Sequence, residues 1–242
     1  MNEMEPYRSQ PRDEIIERIE CYIIENDLIA GDQLPSERKL CELWDCNRMT
    51  FRSAVNHLIA EGVLYSAPSK GNFVSQKKLE RYLQDLTSFS DFVMLQGRTM
   101  KNKIVSQCII AASQKIADRL QINEGDKVFE LVRLRIVDDE PVSIEWSHLP
   151  YERFNGIERY DFKRLSLYSV LEMKYLVAFE GGKEEISVTY ADQQEAVLLE
   201  IAEGNPLFFL QGVTWDEEKI PVEYIKSVSR SDKINFAGVL VR

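Results

Sequence analysis

The sequence predicts an α+β chain: a small helical N-terminal domain closed by a β-hairpin, then a larger domain built round an antiparallel sheet. Three observations predict it. Before position 77 the apolar residues recur at helical spacing in three short runs. After Gly97 they cluster in runs of strand length separated by short helical stretches, and a bridge with a polar end lies between the two regimes. The 242 residues, 44% hydrophobic and 29% charged, provide a usable core and suit two modest domains. Disordered and collagen-like classes are thereby excluded.

Taken in order, Ile15, Ile19, Tyr22 and Ile23 fall at i, i+4, i+7 and i+8 and predict an amphipathic helix over 11–27, closed off by Gly31 and Pro35. Ser36 stands at an N-cap position before a short helix through Leu40, Leu43 and Trp44. Asn47 is the next N-cap candidate. It opens a helix with Phe51, Ala54, Val55 and Leu58 on one stripe and Gly62 as its stop. Val63-Leu64-Tyr65, the turn Pro68-Ser69-Lys70-Gly71 and Phe73-Val74 then predict a hairpin. Three helices followed by a hairpin, with three residues between the second and third helices, make a winged helix-turn-helix.

The formal net charge of −10 argues against a protein that coats nucleic acid or anionic lipid through its overall field. Its distribution says more. Residues 1–35 carry three Arg and nine acids, a net −6, whereas residues 36–78 carry seven basic residues and four acids, a net +3; the remainder is −7. Arg48 and Arg52 are spaced i, i+4 off the apolar stripe, with Arg38 on the preceding helix and Lys70-Gly71 at the hairpin tip. Singly these are ordinary solvated cations; together they form one positive island suited to phosphate contact.

Beyond the bridge, where Leu79, Leu83 and Leu86 keep helical spacing ahead of polar Thr87-Ser88-Phe89-Ser90, strands are predicted over 104–111, 128–137, 142–148, 186–190, 207–215 and 222–229. Helices fit 113–120, 167–175 and 192–201. The stretch Leu120-x-Ile122-x-x-Gly125-x-x-Val128-Phe129-x-Leu131 is echoed by Leu199-x-Ile201-x-x-Gly204-x-x-Leu207-Phe208-x-Leu210, each running through an acidic turn to Pro-Val. Two such copies suggest a pseudo-symmetric sheet, although common hairpin grammar also produces this pattern.

No apolar run approaches the roughly 18 residues that span a bilayer, and the acidic start lacks the features of a signal peptide, so a cytoplasmic chain with no membrane partner is expected. Cys21, Cys41, Cys46 and Cys108 contain no Cys-x-x-Cys pair and read as small buried hydrophobes. His57 and His148 lack ligand-spaced partners, so no metal, cofactor or His-based catalytic site is expected.

At this point the residues carry a resemblance. Gly31-Asp32-Gln33-Leu34-Pro35-Ser36-Glu37-Arg38-x-Leu40, Asn47-Arg48-Met49-Thr50-Phe51-Arg52-x-Ala54, Leu58-x-x-Glu61-Gly62-Val63-Leu64 and Lys70-Gly71-Asn72-Phe73-Val74 resemble the GntR family of bacterial winged-helix regulators. Arg133-x-Arg135, Pro141-x-x-x-Glu145 and Leu149-Pro150 resemble the effector domain of its HutC branch, the UTRA domain, which has a chorismate-lyase-like fold. The resemblance implies a winged helix-turn-helix over 1–76, a bridge over 77–97 and an effector domain over 98–242. It implies a homodimeric repressor of double-stranded operator DNA, controlled by a small anionic effector such as a phosphorylated sugar, with no enzymatic activity. The fold kinship keeps open one alternative, a chorismate-lyase-like or sugar-phosphate enzyme activity in the second domain.

By the same resemblance, Arg38, Arg48, Thr50 and Arg52 contact DNA and Lys70 and Gly71 enter the minor groove. Arginine offers guanine a planar fork, and glycine lets backbone approach closely. Asp45 stands where a turn glycine is usual, Met49 replaces a hydroxyl residue, and 65–69 lacks the usual wing arginine. Weaker wing contact and an operator unlike the family's commonest one are therefore expected. For the effector, the resemblance points to Ser88, Phe89, Ser90, Arg133, Arg135, Ser166 and Tyr168 round a phosphate, with Glu145 and Glu223 on sugar hydroxyl or amide groups. Arg133 and Arg135, two apart on a strand, lie on one face roughly 7 Å apart and repel unless an anion sits between them. Salt bridges to Glu145, a core role for Tyr168 and an N-cap role for Ser166 are equally available readings.

Overall fold

The computed structural model describes residues 11–82 and 87–238, in two compact units, Met1–Lys78 and Leu79–Arg242. The acidic start and the Leu83 and Leu86 positions of the bridge pattern lie outside the described residues.

In the first unit α1 (Pro11–Glu25), α2 (Glu37–Trp44) and α3 (Arg48–Ala60) bury Ile15, Ile19, Leu40, Phe51, Ala54, Val55 and Leu58 together with Leu34 and Leu64. The stop of α1 differs from the sequence reading. The helix ends at Glu25; Asp27 turns left-handed at φ +51°, and the Leu28 N–H returns to the Ile23 carbonyl at 2.9 Å, ahead of Gly31. Ser36 caps α2, and the Asn47 side chain accepts from the Thr50 N–H at 2.8 Å to cap α3. Asp45 is the left-handed end of α2, at φ +49°, the conformation for which a glycine is favoured. Replacing Asn47 by alanine should cost about 1 kcal/mol of helix stability, visible as a lower melting midpoint of the full chain; an unchanged midpoint would show the cap to be idle.

The wing is β1 (Leu64–Ala67) paired antiparallel with β2 (Gly71–Val74), Leu64 opposite Val74 and Ala67 opposite Gly71. Pro68 followed by Ser69 at φ +59°, with the Lys70 N–H on the Ala67 carbonyl at 3.0 Å, gives the turn a type II form.

The second unit begins with β3 (Leu79–Tyr82) and α4 (Phe89–Leu95). The predicted helical spacing at Leu79 is thus overridden: 79–82 is a strand, because it pairs in parallel with β10 (Ile234–Ala237), a distant partner that local spacing does not reveal. Between them run β4 (Met100–Ala111), α5 (Gln114–Leu120), β5 (Lys127–Val137), β6 (Glu140–Pro150), a 3-10 turn Ile157–Arg159, α6 (Leu167–Tyr175), β7 (Phe179–Tyr190), α7 (Gln193–Leu199), β8 (Pro206–Asp216) and β9 (Pro221–Arg230). The strands form one antiparallel sheet ordered β4-β5-β6-β9-β8-β7.

That order is a palindrome, and the repeat seen in sequence is its cause. The helix ends Gln121 and Glu200 are both left-handed at φ +56°, and Gly125 and Gly204 turn at φ +87° and +81°. The β5/β6 hairpin shifts register after Arg135 and the β8/β9 hairpin after Thr214, which aligns Arg133 with Gly212, Arg135 with Thr214 and Glu145 with Ile225.

Strand alternation sends neighbouring residues to opposite faces. On one face Phe129, Leu131, Leu149 and Val222 pack under α6 and the 3-10 turn. On the other, Val132, Leu134, Ile144 and Val228 pack under α7, and Val128 and Tyr224 under α5. β7 starts seven residues before the predicted strand, through Gly181 and Gly182. Its long edge is exposed, and the ring of Trp215 lies where a Gly181 side chain would be.

Among the described residues no helix is long and apolar enough to cross a membrane. The cysteine reading is corrected in part: Cys41 is buried and Cys46 half-buried, but Cys21 and Cys108 are exposed, on the outer faces of α1 and the edge strand β4.

Candidate functional site

The second unit gathers all nine expected effector residues round one cavity. Ser88 caps α4, whose first residues are Phe89 and Ser90; Arg133 and Arg135 come from β5, Glu145 from β6, Ser166 and Tyr168 from the start of α6, and Glu223 from β9. Arg81, Thr87, Leu167 and Ile225 complete the lining and were not singled out in the sequence. The cavity is partly open and has about 30 Å³ of free space, room for one or two waters.

Its floor is a buried charge cluster. Arg133, Arg135 and Glu145 are 2%, 3% and 4% exposed and Glu223 is fully buried. One carboxylate oxygen, Glu145 Oε1, accepts from Nη2 of both arginines. Arg135 also donates from Nη1 to Asn102 Oδ1 at 2.9 Å and lies over the Phe89 ring, 5.3 Å from its centroid. The Nε of each arginine is buried without a hydrogen-bond partner among the described residues. Burial first, and the charge of Arg133 second, push the Arg135 guanidinium down to about 10. Burial pushes the Glu145 carboxyl up, but Arg135 and Arg133 outweigh it and hold it at about 2. Glu223 is pushed up, by burial and then by the charge of Glu145, toward its neutral form. Arg81, Arg133 and Arg135 share the cavity with Glu145 and Glu223, and the unused Nε donors of Arg133 and Arg135 are a chemistry that accepts an anion.

For Ser166 and Tyr168 the cap and core placements are present, and both residues also line the cavity. Ser166 Oγ accepts from the Ser169 N–H at 3.5 Å as an N-cap and still lines the cavity. Tyr168 stacks on Phe179 with centroids 4.4 Å apart, and its hydroxyl donates to Glu223 Oε2 at 2.9 Å. Burial and Glu223 raise its pKa well above the ordinary value, so the phenol stays a donor. The arginine–Glu145 salt bridges exist as well.

In the first unit, the side chains of Arg38, Arg48, Arg52 and Lys70 are exposed. Arg48 and Arg52 both approach Glu37, the first residue of α2, at 4.0 and 2.9 Å. Glu37 is the residue the sequence reading missed here: it draws the two α3 arginines to the N-terminal end of α2. Arg38 pairs with Glu42 at 3.1 Å one turn along its own helix. Thr50 is half-buried, with its N–H used by the cap. At the wing, Lys70 is exposed and its carbonyl accepts from Gln33 Nε2, which braces the tip; Gly71 has φ +109°, where a side chain is disfavoured.

The comparisons with known proteins divide at the same place. The UTRA domain model matches residues 95–235, and the model for bacterial regulatory proteins of the gntR family matches residues 11–74. The chain is 30% identical over 229 residues to "HTH-type transcriptional repressor NagR" of Bacillus subtilis (strain 168), covering 95% of this chain and 94% of that one. It is 30% identical over 205 residues to "Probable fructoselysine utilization operon transcriptional repressor" of Escherichia coli (strain K12), covering 85% and 84%. The crystal structure of PhnF from Mycobacterium smegmatis superposes with a TM-score of 0.69 at 24% identity over 94% of this chain and 99% of that one, a likeness of fold.

Proposed function

The chain belongs to the GntR family of bacterial transcription regulators, in the HutC branch that carries a UTRA effector domain, and from that premise we propose that it is a cytoplasmic homodimeric repressor whose operator affinity is set by a small phosphorylated sugar. The observation that carries the effector class is the sharing of one Glu145 oxygen by two buried arginines with spare N–H donors. A phosphate accepts bidentate bonds from both. Relatives described as repressors, one of them of an operon for fructoselysine utilization, support both repression and a sugar-derived effector.

The DNA side is carried by Arg38, Arg48, Thr50 and Arg52, with Lys70 and Gly71 in the wing. A two-fold dimer would place two α3 helices on two half-sites of an operator. The cavity is partly open and its free space is about 30 Å³, so a sugar phosphate would widen it, by displacing 87–90 or by parting Glu145 from its arginines. Such a displacement acts on the stretch that follows the DNA-binding unit, and a coupling of roughly 1–3 kcal/mol would suffice to switch operator affinity.

A thermal-shift panel of sugar phosphates tests this reading. At a ligand concentration a hundred times Kd, binding stabilises the native state by about 2.7 kcal/mol, and the double variant Arg133→Ala/Arg135→Ala should lose that response while still binding operator. Loss of folding in the double variant would make the cluster structural, and a ligand that bound tightly without altering operator affinity would end the switch. One observation favours a second reading, an enzyme: Glu223, raised toward its neutral form beside Tyr168, has the character of a general acid. Among the described residues the cavity lining holds no His, Cys or Lys nucleophile, and turnover of a bound panel member would be the sign of this alternative.

A further inference from the structure

The two halves of the sheet are not equally furnished. Where the first carries Arg133 and Arg135 on β5, the second carries Gly212 and Thr214 on β8. Gly212 lies opposite Glu184 of β7, and a Cβ at 212 would come within 2.8 Å of both Glu184 Cγ and the Lys183 carbonyl oxygen. A residue without a side chain is therefore what lets Glu184 lie across the strand. Glu184 Oε1 in turn accepts from Arg81 Nη2 at 3.0 Å. Arg81 arrives from β3, lines the same cavity as Arg133 and Arg135, and is near enough to Glu145 to help keep that carboxylate ionised.

We propose that Arg81 is a third anion-binding arginine of the effector site, held in reserve by Glu184, so that the phosphate of an effector and the Glu184 carboxylate compete for one guanidinium. This rests on the reading of the cavity as an effector site. The exchange is physically easy. The Arg81 and Glu184 side chains are 17% and 24% exposed, so solvent reaches the pair and can hydrate the Glu184 carboxylate once Arg81 leaves it. A phosphate offers more charge and a bidentate geometry to the same fork. The sheet half whose β8 carries no arginine at the corresponding positions is thus supplied with one from outside the sheet. Arg81 stands three residues after Lys78, the last residue of the first unit, so its capture would tether the strand that the DNA-binding unit leads into.

The test uses the full chain with inorganic phosphate and glucose 6-phosphate as probes, and apparent Kd values from calorimetry. Arg81→Gln should weaken both probes about tenfold, the scale of one lost charge-assisted hydrogen bond. Glu184→Gln should tighten them about threefold, and the double variant should behave like Arg81→Gln. Opposite signs are the signature of competition. A purely structural ion pair weakens binding in both single variants, which would overturn the proposal. If Arg133→Ala abolished binding while Arg81→Gln and Glu184→Gln changed nothing, Arg81 would leave the site and the effector reading would stand. Failure of the wild-type chain to bind either probe would remove both.

Discussion

Replacing Glu145 by alanine is expected to lower the stability of the full chain by about 3–5 kcal/mol, because it removes the one carboxylate to which both buried guanidinium groups donate. At the roughly 2–4 °C per kcal/mol typical of chains this long, the melting midpoint should fall by roughly 6–20 °C. The residue is 4% exposed and both arginines donate to the same oxygen, so no solvent-screened alternative is at hand. Phosphate should restore part of the loss and chloride at equal ionic strength should not, since only the former bridges both arginines. A variant that melts with the wild type would show that the cluster is hydrated rather than desolvated. The same carboxylate leaves a signature in acid. Its folded value of about 2 lies below its ordinary 4.5, so its contribution is complete above about pH 4.5 and is lost as pH falls toward 2. Glu145→Gln should flatten that part of the stability profile.

Arg52→Ala is expected to weaken operator binding by about tenfold to a hundredfold at physiological salt, without moving the melting midpoint. Arg52 is exposed, it lies off the buried stripe of α3, and it pairs with the Glu37 carboxylate at 2.9 Å. If its contact is with phosphate alone, the slope of log affinity against log salt should become shallower by about 0.9. If it reads a base edge, discrimination at one operator position should relax instead. Unchanged affinity would take Arg52 out of the interface. Glu37 makes a useful control, because it repels phosphate while holding Arg48 and Arg52, so Glu37→Gln should raise non-specific affinity.

Of the site, the arginine pair could be read from the residues alone, while Ser88, Phe89, Ser90, Glu145, Ser166, Tyr168 and Glu223 came through the family resemblance. Arg133 and Arg135 were visible because a strand repeats every two residues, and two arginines on one face need an anion or an acid whatever the fold around them. The three N-terminal helices were visible because caps and apolar stripes are local. What escaped was non-local. Leu79 carries helical spacing, yet pairing with Ile234 makes a strand of it, and Arg81 was hidden with it. Asn102, the partner of Arg135, comes from an edge strand whose start was placed four residues too late. The cysteines were judged by composition, which does not say that Cys108 faces out from an edge.

By itself, then, the sequence determined the order and type of the main elements, the duplicated half-sheet and the segregation of positive charge into residues 36–78, because caps, periodicity and charge counts depend on neighbours along the chain. Only the tertiary structure decided that residues from α4, β5, β6, α6 and β9 enclose one cavity, that two arginines share one carboxylate oxygen, and that Arg81 reaches the same place. Those facts depend on desolvation and on which strands adjoin, and burial is a property of the assembled sheet, not of any stretch of it.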